Sequence, residues 1–83
     1  MDYEVEFKPR AAKDLKDQDP IVQKRIVRKI EYMSHDLAGD VKRLTSTTAE
    51  YRLRVGDYRV LFEIEGSKIA MYRIRHRREA YRK

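Results

Sequence analysis

Three arginines occur at spacings that would place them on one face of a β-hairpin. Arg52 and Arg54 lie two residues apart in an alternating segment, and Arg59 follows the Gly56-Asp57 dipeptide that separates it from a second alternating segment. Successive strand residues point to opposite faces, so the arginines would share the face that the apolar residues avoid. Guanidinium groups bind phosphate through paired donors. The pattern predicts a phosphate-binding surface, although charge alone is equally typical of a solvated basic surface.

A second group of candidate residues lies near the end of the chain and combines cations with titratable side chains. Its members are Arg75, His76, Arg77, Arg78 and Tyr81. A tyrosine can stack on a base, and histidine titrates near neutral pH. RNA cleavage needs a group that removes the 2′-hydroxyl proton, and arginine stays protonated, so His76, Glu79 and Tyr81 are the candidates. A single histidine is also typical of an ordinary surface, and a tyrosine of a packing contact.

Composition narrows the function classes. The net charge is +6, and the excess lies in the second half: residues 1–40 carry 8 Lys and Arg against 9 Asp and Glu, whereas residues 41–83 carry 12 against 5. This favours a polyanionic partner. The absence of cysteine excludes disulfides and thiol catalysis. Two scattered histidines and isolated glycines predict neither a metal site, nor a phosphate loop, nor a cofactor.

Periodicity and helix-start signals predict a single α+β domain over residues 1–83. The predicted elements are a strand over Tyr3–Phe7, helices over 9–17 and from Asp19-Pro20 to 33–36, and strands over 51–55, 58–64 and 68–74. In the order β-α-α-β-β-β, these give an antiparallel sheet with a two-helix hairpin packed on one face. The segment 41–49 is left unassigned, with turn character at 45–48. The aspartates of the first helix, including Asp14, are expected to face water, and His35 to be structural.

Taken together, residues 51–60, residues 76–82 and the order of elements resemble the RelE branch of the RelE/ParE toxins of type II toxin–antitoxin systems. The similarity covers nearly the whole chain. It implies a RelE-like fold and a cytoplasmic, metal-independent endoribonuclease, an mRNA interferase that inhibits translation. Such an enzyme cuts mRNA in the ribosomal A site through attack of the 2′-hydroxyl on the adjacent phosphate.

The resemblance also implies roles for individual residues. The implied catalytic residues are Arg52, Arg54, Arg59, His76, Arg77 and Tyr81. Those expected to bind RNA are Arg52, Arg54, Arg59, Arg75, Arg77 and Arg78. Positions 52 and 54 are lysines in the best-known members, so a proton-transfer role of that pair does not carry over to arginine, and proton transfer would fall on Tyr81 or His76, or on water.

The implied partners are the ribosome, mRNA and a cognate antitoxin, with operator DNA contacted only through the antitoxin and no membrane. Two alternatives stay open at this point. One is a ParE-like inhibitor of DNA gyrase, which would share the fold. The other is a nucleic-acid-binding relative without catalysis, which the arginines at positions 52 and 54 would suit.

Overall fold

The computed structural model describes residues 2–39, 41–44 and 50–76. The elements in chain order are β1 (Glu4–Phe7), α1 (Pro9–Lys16), α2 (Pro20–Met33), β2 (Val41–Arg43), β3 (Glu50–Val55), β4 (Tyr58–Glu65) and β5 (Lys68–His76). Both helices begin at a proline, whose fixed φ suits a first helical turn and whose missing N–H needs no partner there. None of the helices in these ranges is long and apolar enough to cross a membrane.

The strands form a five-stranded sheet in the order β1-β5-β4-β3-β2. The predicted α+β class and the two helices are confirmed, with two differences in the sheet. The segment left unassigned contributes β2, which pairs with β3. In addition, β1 pairs with β5 in parallel, so the sheet is antiparallel as predicted except at this one pair. A parallel pair needs a long crossover connection, and here the chain between β1 and β5 contains both helices and the other three strands.

The core lies between the helices and one face of the sheet. Its fully buried members are Ala11, Ile26, Ile30, Met33, Leu53, Val55, Val60, Phe62, Ile69, Met71 and Ile74. The apolar stripe predicted for the second helix supplies three of them, and the alternating apolar positions of β3 and β4 supply four. Side chains of β1 pack against the same cluster. We call the opposite face of the sheet the outer face, since both helices pack on the core side.

The hairpin between β3 and β4 depends on one glycine. Gly56 has a φ of +58°, a conformation that side chains with a Cβ rarely adopt. It occupies the first position of the two-residue turn between Val55 and Tyr58, where a positive φ matches the twist of the strands. This turn fixes the register of β3 against β4, and therefore the positions of the arginines on either side of it.

Candidate nucleic-acid interface

Three arginines lie directly beside one another across the outer face. Arg54 of β3 pairs with Arg59 of β4, and Arg59 pairs with Arg75 of β5. Side chains of directly opposed residues have Cβ atoms about 4.5–5.5 Å apart. We call these three residues the arginine row. The structure thus brings Arg75 together with the two hairpin arginines. The sequence had placed Arg75 in a separate group near the end of the chain.

A β-bulge creates this alignment. The pairing of β4 with β5 shifts by one residue at Leu61/Phe62, so that Phe62 faces Met71 whereas Leu61 faces Arg73. Without that shift, Arg59 would face Ile74. Because side chains alternate, a slip of one residue moves the following ones to the opposite face. The bulge therefore sends Ile74 into the core and Arg75 to the outer face.

A second set of cations adjoins the arginine row. Lys42 pairs with Arg52, Arg52 with Leu61, and Leu61 with Arg73. The side chain of Arg52 is half-buried, and that of Lys42 is exposed on the edge strand β2. Arg52 therefore lies next to the arginine row, as the two-residue spacing predicted. Leu61 is the apolar side chain between these cations.

The electrostatics of the arginine row favour an anion. Like charges directly opposite each other on a sheet destabilise it. Moreover, the Nε atom of Arg75 is buried and has no hydrogen-bond partner in the part of the chain that the structure describes. A buried donor without a partner costs free energy that an acceptor can recover. A phosphate group would bring both negative charge and acceptor oxygens to this row, including an acceptor for Arg75 Nε.

Asp14 of α1 holds the end of β5 that approaches this row. Its Oδ2 atom accepts hydrogen bonds from Arg73 Nε at 2.8 Å and from the Ile74 backbone N–H at 2.9 Å. Because β1 pairs with β5 only as far as Met71, the rest of that edge has no neighbouring strand among the described residues, and Asp14 satisfies one of its N–H groups. The expectation that Asp14 faces water is wrong. Its i, i+3, i+4 spacing with Ala11 and Leu15, both packed in the core, was the available signal.

His76 lies on the other face of the sheet. It pairs with Tyr58, whose side chain packs against the core, and the two rings meet edge to face with centroids 5.1 Å apart. The structure therefore does not bring His76 together with the arginine row, and its catalytic role stays a prediction. Arg77, Arg78 and Tyr81 lie outside the described residues, as does the turn expected at 45–48.

The charge of the outer face changes from positive to negative along the strands. Beyond the cations, Glu50 of β3 pairs with Glu63 of β4. Tyr72 of β5, the residue next to Arg73 at the bulge, lies near enough to this pair for both charges to act on its hydroxyl. Burial, followed by the charges of Glu50 and Glu63, raises the pKa of Tyr72, so its hydroxyl stays protonated at neutral pH.

Among the described residues, no group of three His, Asp or Glu side chains is arranged to hold a metal ion. His35 instead contacts Asp2, with Nδ1 2.8 Å from Oδ1. The two residues also form an isolated β-bridge that ties the N-terminal segment to the end of α2. This contact agrees with the structural role expected for His35.

The chain is similar in sequence to toxins of type II toxin–antitoxin systems. The family model for the ParE toxin of the type II toxin–antitoxin system parDE matches residues 5–81. Toxin RelE3 of Methanocaldococcus jannaschii is 35% identical to this chain over 82 residues, covering 93% of each chain.

Two solved structures have the same fold. A chain of the RelB–RelE antitoxin–toxin complex from Methanococcus jannaschii matches with a TM-score of 0.75 and 33% identity, covering 90% of this chain and 93% of that one. A chain of the archaeal RelE–RelB complex from Pyrococcus horikoshii matches with a TM-score of 0.78 and 24% identity, covering 93% and 97%.

Proposed function

Because the chain belongs to the RelE/ParE superfamily of type II toxins, we propose that it is a ribosome-dependent endoribonuclease that cuts mRNA in the A site without a metal ion. The observation that carries this proposal is the alignment of Arg54, Arg59 and Arg75 on the outer face. Three adjacent guanidinium groups suit a phosphodiester, whose charge they can bind from several sides.

Attack of a 2′-hydroxyl on the neighbouring phosphate explains how arginines alone could supply most of the catalysis. The 2′-oxygen forms a bond to phosphorus while the bond to the 5′-oxygen breaks, which leaves a 2′,3′-cyclic phosphate and a 5′-hydroxyl end. Negative charge grows on the phosphoryl oxygens during this step. The arginine row and Arg52 would stabilise that charge, and a preorganised donor of this kind typically contributes about 100- to 1,000-fold in rate.

Two proton transfers complete the reaction, because the 2′-hydroxyl loses a proton and the 5′-oxygen gains one. Arginine is too basic to accept the first proton. We assign these transfers to Tyr81 and His76, as the sequence pattern predicts. The contact of His76 with Tyr58 on the core side favours Tyr81 for the transfer at the scissile phosphate. Tyr81→Phe should therefore reduce cleavage more than His76→Ala does.

Primer extension on a reporter mRNA during translation with purified ribosomes tests the proposal. The protein should generate new ends within ribosome-occupied codons and leave the same mRNA intact without ribosomes. Arg54→Met and Arg77→Ala should each reduce cleavage by about 100-fold, whereas Arg28→Met, an exposed arginine of α2, should not. Intact mRNA with the folded wild-type protein would reject the proposal. Salt-dependent RNA binding without cleavage would instead support a non-catalytic binding protein.

Inhibition of DNA gyrase is the second candidate, since the matching family model is that of the ParE toxin. The arginine row favours the nuclease, because a phosphodiester substrate explains why like charges are aligned there. A supercoiling assay separates the two functions. Inhibition of gyrase at a small excess of this protein, together with intact reporter mRNA, would reverse the assignment.

A cognate antitoxin is the proposed protein partner. The matching structures from Methanococcus jannaschii and Pyrococcus horikoshii are complexes of RelE with RelB. We propose that this chain likewise binds an antitoxin, and that any contact with operator DNA is made by that partner. Co-expression with the neighbouring open reading frame should relieve growth inhibition and yield a complex on gel filtration. Persistent growth inhibition with no complex would exclude that frame as the antitoxin.

A further inference from the structure

Tyr72 is placed differently from the other aromatic side chains of the sheet. Those near or within the strands pack against the core: Tyr3, Phe7, Tyr51, Tyr58 and Phe62. Tyr72 follows the buried Met71 at the bulge and instead lies near enough to Glu50 and Glu63 for their charges to raise its pKa. These two carboxylates belong to the outer face, because they alternate with the core residues of β3 and β4. Among the described strand residues, Tyr72 is thus the aromatic of the face that carries the arginine row.

The side chain of Tyr72 is half-buried, so it is partly packed and partly accessible to solvent. Glu50, one of the carboxylates whose charge raises the pKa of Tyr72, lies two strands away across β4. A β-bulge commonly redirects a side chain toward a functional surface. Here it places an aromatic ring at the point where the cations end and the carboxylates begin.

The charge pattern assigns different parts of a nucleotide to the two ends of the outer face. Phosphates would be attracted to Arg54, Arg59 and Arg75 and repelled by Glu50 and Glu63. Tyr72 lies three residues before Arg75, which is roughly 10 Å along an extended strand. A base attached to a phosphate at the arginine row could therefore extend toward the Tyr72 ring, while its backbone stays away from the carboxylates.

We infer that Tyr72 is a stacking platform for a nucleobase of the RNA whose phosphates bind the arginine row. This role rests on the proposed ribonuclease function and adds a base-contacting residue to it. Aromatic rings bind single-stranded RNA in this way because every base has a face on which a ring can stack.

Binding of a short 2′-O-methyl oligoribonucleotide that contains one 2-aminopurine tests this role. The methyl group blocks the attacking oxygen, so binding is measured without cleavage. Stacking on a tyrosine ring quenches 2-aminopurine fluorescence. Tyr72→Leu should weaken binding roughly 5- to 100-fold and restore fluorescence in the bound state. Tyr72→Phe keeps the ring and should retain the affinity.

The salt dependence of binding separates stacking from charge. Tyr72→Leu should weaken binding equally at low and high salt, because it removes no phosphate contact. Arg75→Met should instead reduce the slope of log affinity against log salt by about one. Unchanged affinity of Tyr72→Leu, or wild-type protein that does not quench the bound probe at any base position, would overturn the inference. Should Tyr72→Leu not fold, the comparison of wild type with Tyr72→Phe still decides, because a loss of affinity in the phenylalanine variant contradicts a role of the ring in stacking.

These outcomes are distinct from those that bear on the ribonuclease itself. If the protein quenches the probe through Tyr72 but leaves translated mRNA intact, the stacking role stands and the proposed ribonuclease function is rejected. If the protein cuts mRNA but binds the probe equally well with leucine at position 72, only the stacking role is rejected.

Discussion

Arg75 lies directly opposite Arg59 on neighbouring antiparallel strands, and the buried Nε atom of Arg75 has no hydrogen-bond partner among the described residues. The second feature works against folding, because an unsatisfied buried donor costs about 1–3 kcal/mol. A bound anion would remove this cost, because it would supply an acceptor for the buried donor. This is a property expected of a phosphate site.

Arg75→Met should therefore raise stability while weakening RNA binding. Methionine fills a similar volume without a charge or a polar atom, so we expect a gain of about 1 kcal/mol in the free energy of unfolding. Urea denaturation measures this gain. Inorganic phosphate should raise the melting temperature of the wild type more than that of the variant, because only a ligand that binds the folded state stabilises it.

Arg28→Met is the matched control, since it removes an exposed arginine of α2. Its stability should stay within about 0.5 kcal/mol of the wild type, and phosphate should protect it as well as the wild type. Lower stability of Arg75→Met, combined with an undiminished phosphate effect, would show that Arg75 serves the fold rather than an anion site.

Asp14→Ala should destabilise the protein through β5. The substitution removes the acceptor of the Ile74 N–H and the partner of Arg73, whose side chain is only 27% exposed. Leaving such donors unpaired costs about 1–3 kcal/mol, which lowers the melting temperature by roughly 4–8 °C per kcal/mol in a domain of this size. Asp14→Asn keeps an acceptor for the backbone N–H and should lose less. Amide hydrogen exchange at Ile74 should accelerate in the alanine variant.

Asp17→Ala provides the comparison within the same segment, because Asp17 is exposed just after the end of α1. It should change stability by less than about 0.5 kcal/mol. Equal effects of the two alanine substitutions would contradict a specific role for the contact between Asp14 and β5.

The hairpin shows what sequence could predict. Alternation on both sides of Gly56 determined the faces of β3 and β4, and local turn chemistry determined their register. The second helix was equally accessible, because its proline start and apolar spacing are properties of neighbouring residues. Arg52, Arg54 and Arg59 were placed correctly for the same reason.

The missed features all depend on residues far apart in the chain. β2 has only three residues and forms through its pairing with β3, so no periodicity in the sequence predicted it. The parallel pairing of β1 with β5 depends on how the intervening helices and strands position β5 next to β1, which local sequence does not specify. The bulge did leave a signal: the buried positions of β5 change phase between Met71 and Ile74, which a regular strand would not do. That change of phase is what aligns Arg75 with Arg59.

Glu6 provides a test of electrostatics on the β1 edge. Its carboxylate oxygens lie 2.8 Å from Lys8 Nζ and 3.0 Å from Lys68 Nζ. Hydrogen bonds from Lys8 and then Lys68 hold the pKa of Glu6 below its usual 4.5, and the hydrogen bond with Glu6 raises the pKa of Lys68 above 10.5.

These shifts predict how Glu6→Gln should affect stability across pH. A lowered carboxyl pKa gives stability that is fully present above pH 4.5 and is lost as the pH falls through the folded-state value. A raised lysine pKa gives stability that is present below pH 10.5 and is lost at more alkaline pH. The melting temperature of the wild type should therefore exceed that of Glu6→Gln by a small, salt-sensitive margin near neutral pH, and the two should converge at both extremes. Glu31→Gln, an exposed position of α2, should show no such convergence, and a margin for Glu6→Gln that persists in acid would assign it to packing instead of charge.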